Sequence, residues 1–238
     1  MTASTNPKTA AEFRVRLEQL QAEAEAAANS RAGAGRIPMR RVFDLAREFT
    51  DTEPEEIERL LGDSPHVNRV GAVSIMDFQA RRRATTEHRR QELYQLYLRR
   101  HDRINTWDLV DRAAPHVVGG YLADKPRDPL YLLARSSQWW ERRTAIVSTW
   151  YFIRQGDTAD TFRIGDILAH DPVDLVQKAV GGWIREAGKR NPAGLRRFLD
   201  EHAATMPRTT LRYAIEHLDP ETRSHYRQLS PADTAAQE

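Results

Sequence analysis

The sequence predicts an all-α protein, an α-solenoid, and three observations carry that expectation. Apolar residues recur at helical spacing along almost the whole chain, while the alternation of a strand is missing. Alanine recurs at a fixed interval in the second half: Ala145, Ala179 and Ala214 are spaced by 34 and 35 residues. Charge is segregated. Residues 66–215 hold 25 Lys and Arg against 17 Asp and Glu, a balance of +8, whereas residues 1–65 and 216–238 each carry −3. A basic centre between acidic flanks suits a polyanion, so the concave face of the solenoid is expected to be basic and to bind DNA.

The elements follow in order. "AAEFRVRLEQLQAEAEAAA" puts Phe13, Leu17 and Leu20 on one face among strong helix formers. "MRRVFDLAREF", "PEEIERLL", "HRRQELYQLYLRR" and "LRRFLDEHA" keep the same period. Pro, Gly and Asp clusters such as "LGDSPH", "ADKPRDP", "RQGDTAD", "AHDPVD" and "KRNPAG" punctuate them. "RRTAIVSTWYFIR", "VQKAVGGWIREAG" and "LRYAIEHL" each place alanine before Ile or Val, after a shorter helix and a turn. "RVGAVSIMDF" around Ala72 is a diverged earlier copy. Helix pairs at this period stack into a solenoid, and alanine fits where two helices approach closely. A single repeat domain is expected over 9–229, with disordered tails at 1–8 and 230–238.

Composition narrows the function. No apolar run approaches the roughly 18 residues of a membrane helix. The N-terminus has no basic segment followed by an apolar core, so no secretory signal is expected. Cysteine is absent, which excludes disulfides and thiolate metal sites and suits the reducing cytoplasm. The eight histidines form no HExxH or close pair, so neither a metal nor another cofactor is expected.

Four stretches hold candidate site residues. In "INTWDLVDRAAPHVVGG" (104–120), Asn105 or Thr106 can cap a helix whose first turn holds Asp108, where an acid favours the dipole. Asp111 lies one turn beyond Trp107 and shares its face. An indole beside a carboxylate suits a cation, either an alkylated base or a sugar with oxocarbenium character; ordinary helix chemistry is the alternative. In "SSQWWERRTAIV", Trp139 and Trp140 precede Arg142 and Arg143 near a helix start, where arginine can hold a phosphate. One tryptophan in the core and one solvated arginine is the alternative there. "ARRRATTEHRRQELYQLYLRRHDR" carries Arg89 and Arg90 among further basic clusters, either a solvated face or one that tracks phosphates. "QKAVGGWIREAGKR" is not a nucleotide-binding loop: its glycine spacing is one residue too long, Arg190 stands where Ser or Thr is required, and it reads as a helix interior.

From "GRIPMRRVFDLARE" (35–48) to "YAIEHL" (213–218), the chain resembles the AlkD family of bacterial alkylpurine DNA glycosylases, built from HEAT-like repeats. The resemblance is most specific in Trp107-Asp108-Leu-Val-Asp111 with "APHVVGGYL", in "WERRTAI", and in "VQKAVGGWIREAGKRNP". It implies that Trp107 and Asp111 lie at the lesion, with Asp111 catalytic. It also implies that Arg143, after Trp140, contacts the DNA backbone nearby. The family's second aromatic falls on Gly182, with Trp183 displaced by one residue, about 100° of helix rotation. Either the site wall is more open here or another aromatic substitutes. Trp140, Gly182 and Trp183 are thus expected to border the substrate, and Arg89, Arg90 and Arg142 to join Arg143 on the backbone.

The implied reaction is hydrolysis of the N-glycosidic bond of N3- or N7-alkylated purines in duplex DNA without base flipping. Some members of the resembled family excise bulky minor-groove adenine adducts and protect producers of yatakemycin-type antibiotics. Double-stranded DNA carrying alkylated purines is the expected partner, bound by a monomer in the cytoplasm at the nucleoid. The alternative class is a non-catalytic HEAT-like DNA-binding or protein-adaptor module.

Overall fold

A computed structural model describes residues 8–29 and 36–230, and no strand occurs among them. The expected tails lie outside the described residues, save for Lys8 and Ser230 at their inner edges. The helices gather into two compact units, the first running to Tyr121 and the second starting at Leu122.

In the first unit, α1 (Ala10–Asn29), α2 (Met39–Glu48) and α3 (Pro54–Leu61) precede the longer α4 (His66–Arg81). Proline opens α3, where its missing N–H costs no helical bond. Helix α4 carries the diverged repeat, and Ala72, Val73, Ile75 and Met76 are wholly buried. It packs against α2, α3 and, further along the chain, α5 (Glu87–Arg99) and α6 (Trp107–Ala113). Thr86 caps α5, its hydroxyl oxygen accepting from the Arg89 N–H at 3.2 Å. Helix α6 passes directly into a π-helical segment, Ala114–Gly119. Pro115 lies at the junction and has no N–H to return to the carbonyl four residues back, so the regular α-ladder cannot continue.

The second unit shows the repeat. Helices α7 (Asp128–Ala134), α10 (Ala159–Leu168) and α12 (Pro192–His202) precede α8 (Trp139–Ser148), α11 (Asp174–Arg190) and α13 (Arg208–Ala214); the expected shorter-then-longer order holds for the first two pairs and is reversed in the third, where α12 has 11 residues and α13 has 7. Helix α9 (Trp150–Arg154) and the terminal α14 (Pro220–Gln228) complete it. The three alanines lie in α8, α11 and α13, all buried, and α11 packs on both α8 and α13. The period in the sequence is therefore a period of packed helices. "RRTAIVSTWYFIR" is broken at Thr149, where the hydroxyls of Ser148 and Thr149 donate to the Thr144 and Ile146 carbonyls at 2.7 Å.

The glycine pair of α11 divides its labour. A Cβ on Gly181 would lie 2.4 Å from the Thr210 carbonyl oxygen and 2.6 Å from Tyr213 Cβ, so this glycine permits the close approach of α13. A Cβ on Gly182 would meet nothing within 4 Å. Gly181→Ala should lower stability in urea unfolding by about 1–3 kcal/mol, the cost of overpacking. Gly182→Ala should raise it by about 0.5–1 kcal/mol through helix propensity. Equal effects at the two positions would contradict this packing.

Candidate functional site

Helix α6 presents Trp107 and Asp111 on one face. Trp107 is 52% exposed, unusual for an indole, while Leu109, Val110 and Ala113 turn into the core. Asp111 is half-buried. The indole and the carboxylate are thus presented by the part of a short helix that does not enter the core.

Neither expected cap holds the start of α6. Thr106 occupies the N-cap position without a capping bond, and its hydroxyl donates to Asp108 Oδ1 at 2.7 Å. Asn105 Oδ1 accepts from Arg69 Nη1 at 3.0 Å, and the same Nη1 donates to the Arg103 carbonyl at 3.1 Å. Asp108 Oδ2 lies 2.7 Å from His66 Nε2, at the start of α4. Asp108 is therefore more than a helix-start acid, because it ties the beginning of α6 to the beginning of α4.

At its other end, α6 meets a buried carboxylate that sequence reading did not single out. Asp77 of α4 is 1% exposed and lies 2.8 Å from His116 Nδ1, 3.2 Å from Arg112 Nη2 and 3.3 Å from Arg81 Nη1. Arg112 also donates from Nε to Ser74 Oγ at 3.1 Å and lies over the Phe43 and Phe78 rings, 4.6 and 4.7 Å from their centroids. Burial draws the Arg112 guanidinium below its ordinary value, opposed by the charge on Asp77. The clue in the sequence was a lone acid inside the apolar "RVGAVSIMDFQA", with Arg112 and His116 one turn apart.

In the second unit, Trp139 and Trp140 are both half-buried and meet edge to face at 5.9 Å. The Trp140 indole N–H is buried without a hydrogen-bond partner. Neither arginine after them is solvated, contrary to the simplest alternative. Arg142 forks onto Asp171 at 2.5 and 3.1 Å and donates to the Ser136 and Ser137 carbonyls, so it ties the start of α8 to the turn before α11. Arg143 is buried and donates to the Leu175 carbonyl. Trp183 is half-buried on α11, and Gly182 beside it opens onto free space. "QKAVGGWIREAGKR" lies inside α11, as its helical reading required.

Most arginines of residues 81–100 carry internal partners. Arg82 pairs with Asp51 at 2.5 Å, Arg99 with Glu58 at 2.6 Å, and Arg89 with Glu53. Arg90 donates to the Ala80 and Arg82 carbonyls and so caps the end of α4. The acidic N-terminal third thus supplies counter-charges to the basic centre. Such exposed pairs contribute only about 0–1 kcal/mol, so a phosphate can compete for the same arginines.

Possible metal ligands gather elsewhere. Asp166, Glu201 and His202 bring ligand atoms within 4.8 Å of one another on α10 and α12, with His202 Nε2 3.2 Å from Asp166 Oδ1. They share no residue with the candidate site.

Burial pushes the Asp108 carboxyl up, but the Thr106 hydroxyl and His66 outweigh it and hold the group below the usual carboxylate range. A depressed folded value gives stability that is present above the unfolded value near 4 and lost as pH falls through the folded value. Asp108→Asn should therefore be less stable than the parent at neutral pH, and the gap should close in acid. Urea unfolding at several pH values measures this, and a gap independent of pH would contradict it.

No curated protein matches the chain. A family profile described as "DNA alkylation repair enzyme" matches residues 13–218, a span that takes in α6, α8 and α11 with every candidate residue above. With its all-helical structure and this match over most of its length, the chain belongs to the DNA alkylation repair enzyme family.

Proposed function

We propose that the protein is a monofunctional DNA glycosylase that hydrolyses the N-glycosidic bond of cationic N3- or N7-alkylated purines in duplex DNA. The observation that carries this reading is the exposed Trp107 beside the half-buried Asp111 on one face of α6. Alkylation at N3 or N7 makes the base a cation, which leaves as a neutral molecule without protonation. One carboxylate then suffices, where ordinary glycosidases pair two. Asp111 stabilises the positive charge that develops on the sugar and positions or deprotonates the attacking water. Trp107 lies against the sugar and lesion.

Arg143 and neighbouring basic side chains hold the phosphates, Arg143 by giving up internal contacts such as that to the Leu175 carbonyl. Arg142 acts by fixing the start of α8 through Asp171. The family resemblance further implies a site that does not enclose the base and extends to bulky minor-groove N3-adenine adducts of the yatakemycin type. No flipped-base pocket is then required.

At about 4 Å and an effective dielectric near 20, attraction between Asp111 and a sugar cation is about 4 kcal/mol. Partial screening leaves roughly two to three decades of rate. Asp111→Asn should therefore slow release of N7-methylguanine from duplex DNA by that factor while lesion binding holds or tightens, since a negative charge near phosphates is lost. Binding without base release by the parent protein would instead identify a DNA-binding adaptor.

Duplex affinity should fall steeply with salt and show little sequence preference, because phosphate contacts release counterions and carry no base information. Arg143→Ala should weaken binding and lower the slope of log K against log salt by about 1. An affinity unchanged between 50 and 200 mM salt, conditions spanning roughly a fourfold range, would count against phosphate recognition.

A further inference from the structure

Trp107 and Asp111 stand on a helix that has little stability of its own. Helix α6 has seven residues, lacks a side-chain cap, and runs into a π segment at Pro115. Isolated helices of this length do not persist in water. Each residue of helical slip turns a side chain by about 100°, so aiming a carboxylate needs a contact that fixes rotation. Apolar packing of Leu109 and Val110 holds the helix against the core through contacts that are not themselves directional.

Asp77 supplies a charged anchor for this segment. Its two oxygens face different parts of the same segment: Oδ2 meets Arg112 at 3.2 Å and Oδ1 meets His116 at 2.8 Å. Arg112 is the residue after Asp111, and His116 lies beyond the break at Pro115. The Arg112 guanidinium lies over the Phe43 and Phe78 rings, and Ser74 Oγ accepts from its Nε, while the Ser74 hydroxyl itself donates to the Val70 carbonyl at 2.7 Å. Arg112 is therefore held by charge, by a hydrogen bond and by two rings. An apolar residue at position 77 would fill the space without desolvating a carboxylate, but it would fix no angle.

We propose that Asp77 is a positioning residue for Asp111: by holding Arg112 and His116 on either side of the helix break, it sets the rotation of α6 and aims the Asp111 carboxylate. This rests on the reading of Asp111 as the catalytic group. Asp77 touches no substrate and acts only through the segment it anchors.

The test uses the full-length protein, a duplex carrying one N7-methylguanine, and single-turnover excision beside duplex Kd and thermal melting. Asp77→Asn should slow excision by about tenfold or more while Kd stays within about twofold, since backbone contacts position the duplex separately. Asp160→Asn is the control. Asp160 is also a buried carboxylate, paired with Arg127 at 2.5 Å, but it lies in the second unit and outside the proposed site. At a similar loss of melting temperature it should excise at nearly the parent rate. Should Asp77→Asn not fold, Arg112→Met carries the test, because it leaves Asp77 its contacts with Arg81 and His116; it should show the same slow excision with unchanged Kd. Arg112→Lys keeps the positive charge and should recover part of that loss.

Excision at the parent rate by the folded Asp77→Asn or Arg112→Met protein overturns the proposal. So does a rate that falls equally in Asp160→Asn at matched stability, which would make Asp77 merely structural. Asp111→Asn separates the two readings. If it excises as fast as the parent, the catalytic reading fails and the positioning proposal with it. If Asp111→Asn is slow but Asp77→Asn is not, only the positioning proposal fails.

Discussion

Close contact between successive repeat helices sets the geometry of the second unit. Ala145, Ala179 and Ala214 recur with the period of the helices, and Gly181 lets α13 approach until a single methyl group would strike its backbone. A side chain longer than alanine at these positions would push the helices apart. The tryptophans and arginines of α8 and α11 project from helices whose separation is fixed this way. Precision at the surface thus derives from small residues inside.

Charge follows a different logic. The arginines of the basic centre are not left bare; the acidic N-terminal third pairs with several of them at the surface of the first unit. These pairs are weak and exchangeable. The pairs of Arg142 with Asp171 and of Arg112 with Asp77 are of another kind, because each carboxylate is almost wholly buried. Losing one partner there leaves a charge in the core at a cost of about 3–5 kcal/mol. Burial of the carboxylate therefore separates the pairs that organise the fold from the exchangeable pairs at the surface, though all these arginines look alike in the sequence.

A cationic lesion changes what a glycosylase must supply. The leaving group is already activated, so the protein needs a negative charge near the sugar, a flat surface beside it, and a hold on the backbone. Such a site can be built on one exposed helix face in place of a closed cavity, which shifts the burden from enclosure to aim. Under the proposed function, aim is difficult for a seven-residue helix followed by a proline, and the structure ties both ends of α6, His66 to Asp108 and Asp77 to Arg112 and His116.

The sequence by itself determined the helical class and the repeat, because periodicity is a local property of the chain; it offered Trp107 and Asp111 as candidates by their shared helix face, and Arg143 through the family resemblance. It also placed "QKAVGGWIREAGKR" inside a helix. It did not reveal which glycine of the 181–182 pair bears the packing, since that depends on Thr210 and Tyr213, about thirty residues away. Nor did it show that Asn105 and Thr106 are engaged elsewhere than in capping, or that Arg90 and Arg142 serve backbone carbonyls and a buried aspartate. Asp77 was visible only as an acid in an apolar run. Its partners lie 35 and 39 positions away, and only the packing of α6 against α4 brings them together, because a buried charge is defined by what surrounds it in space.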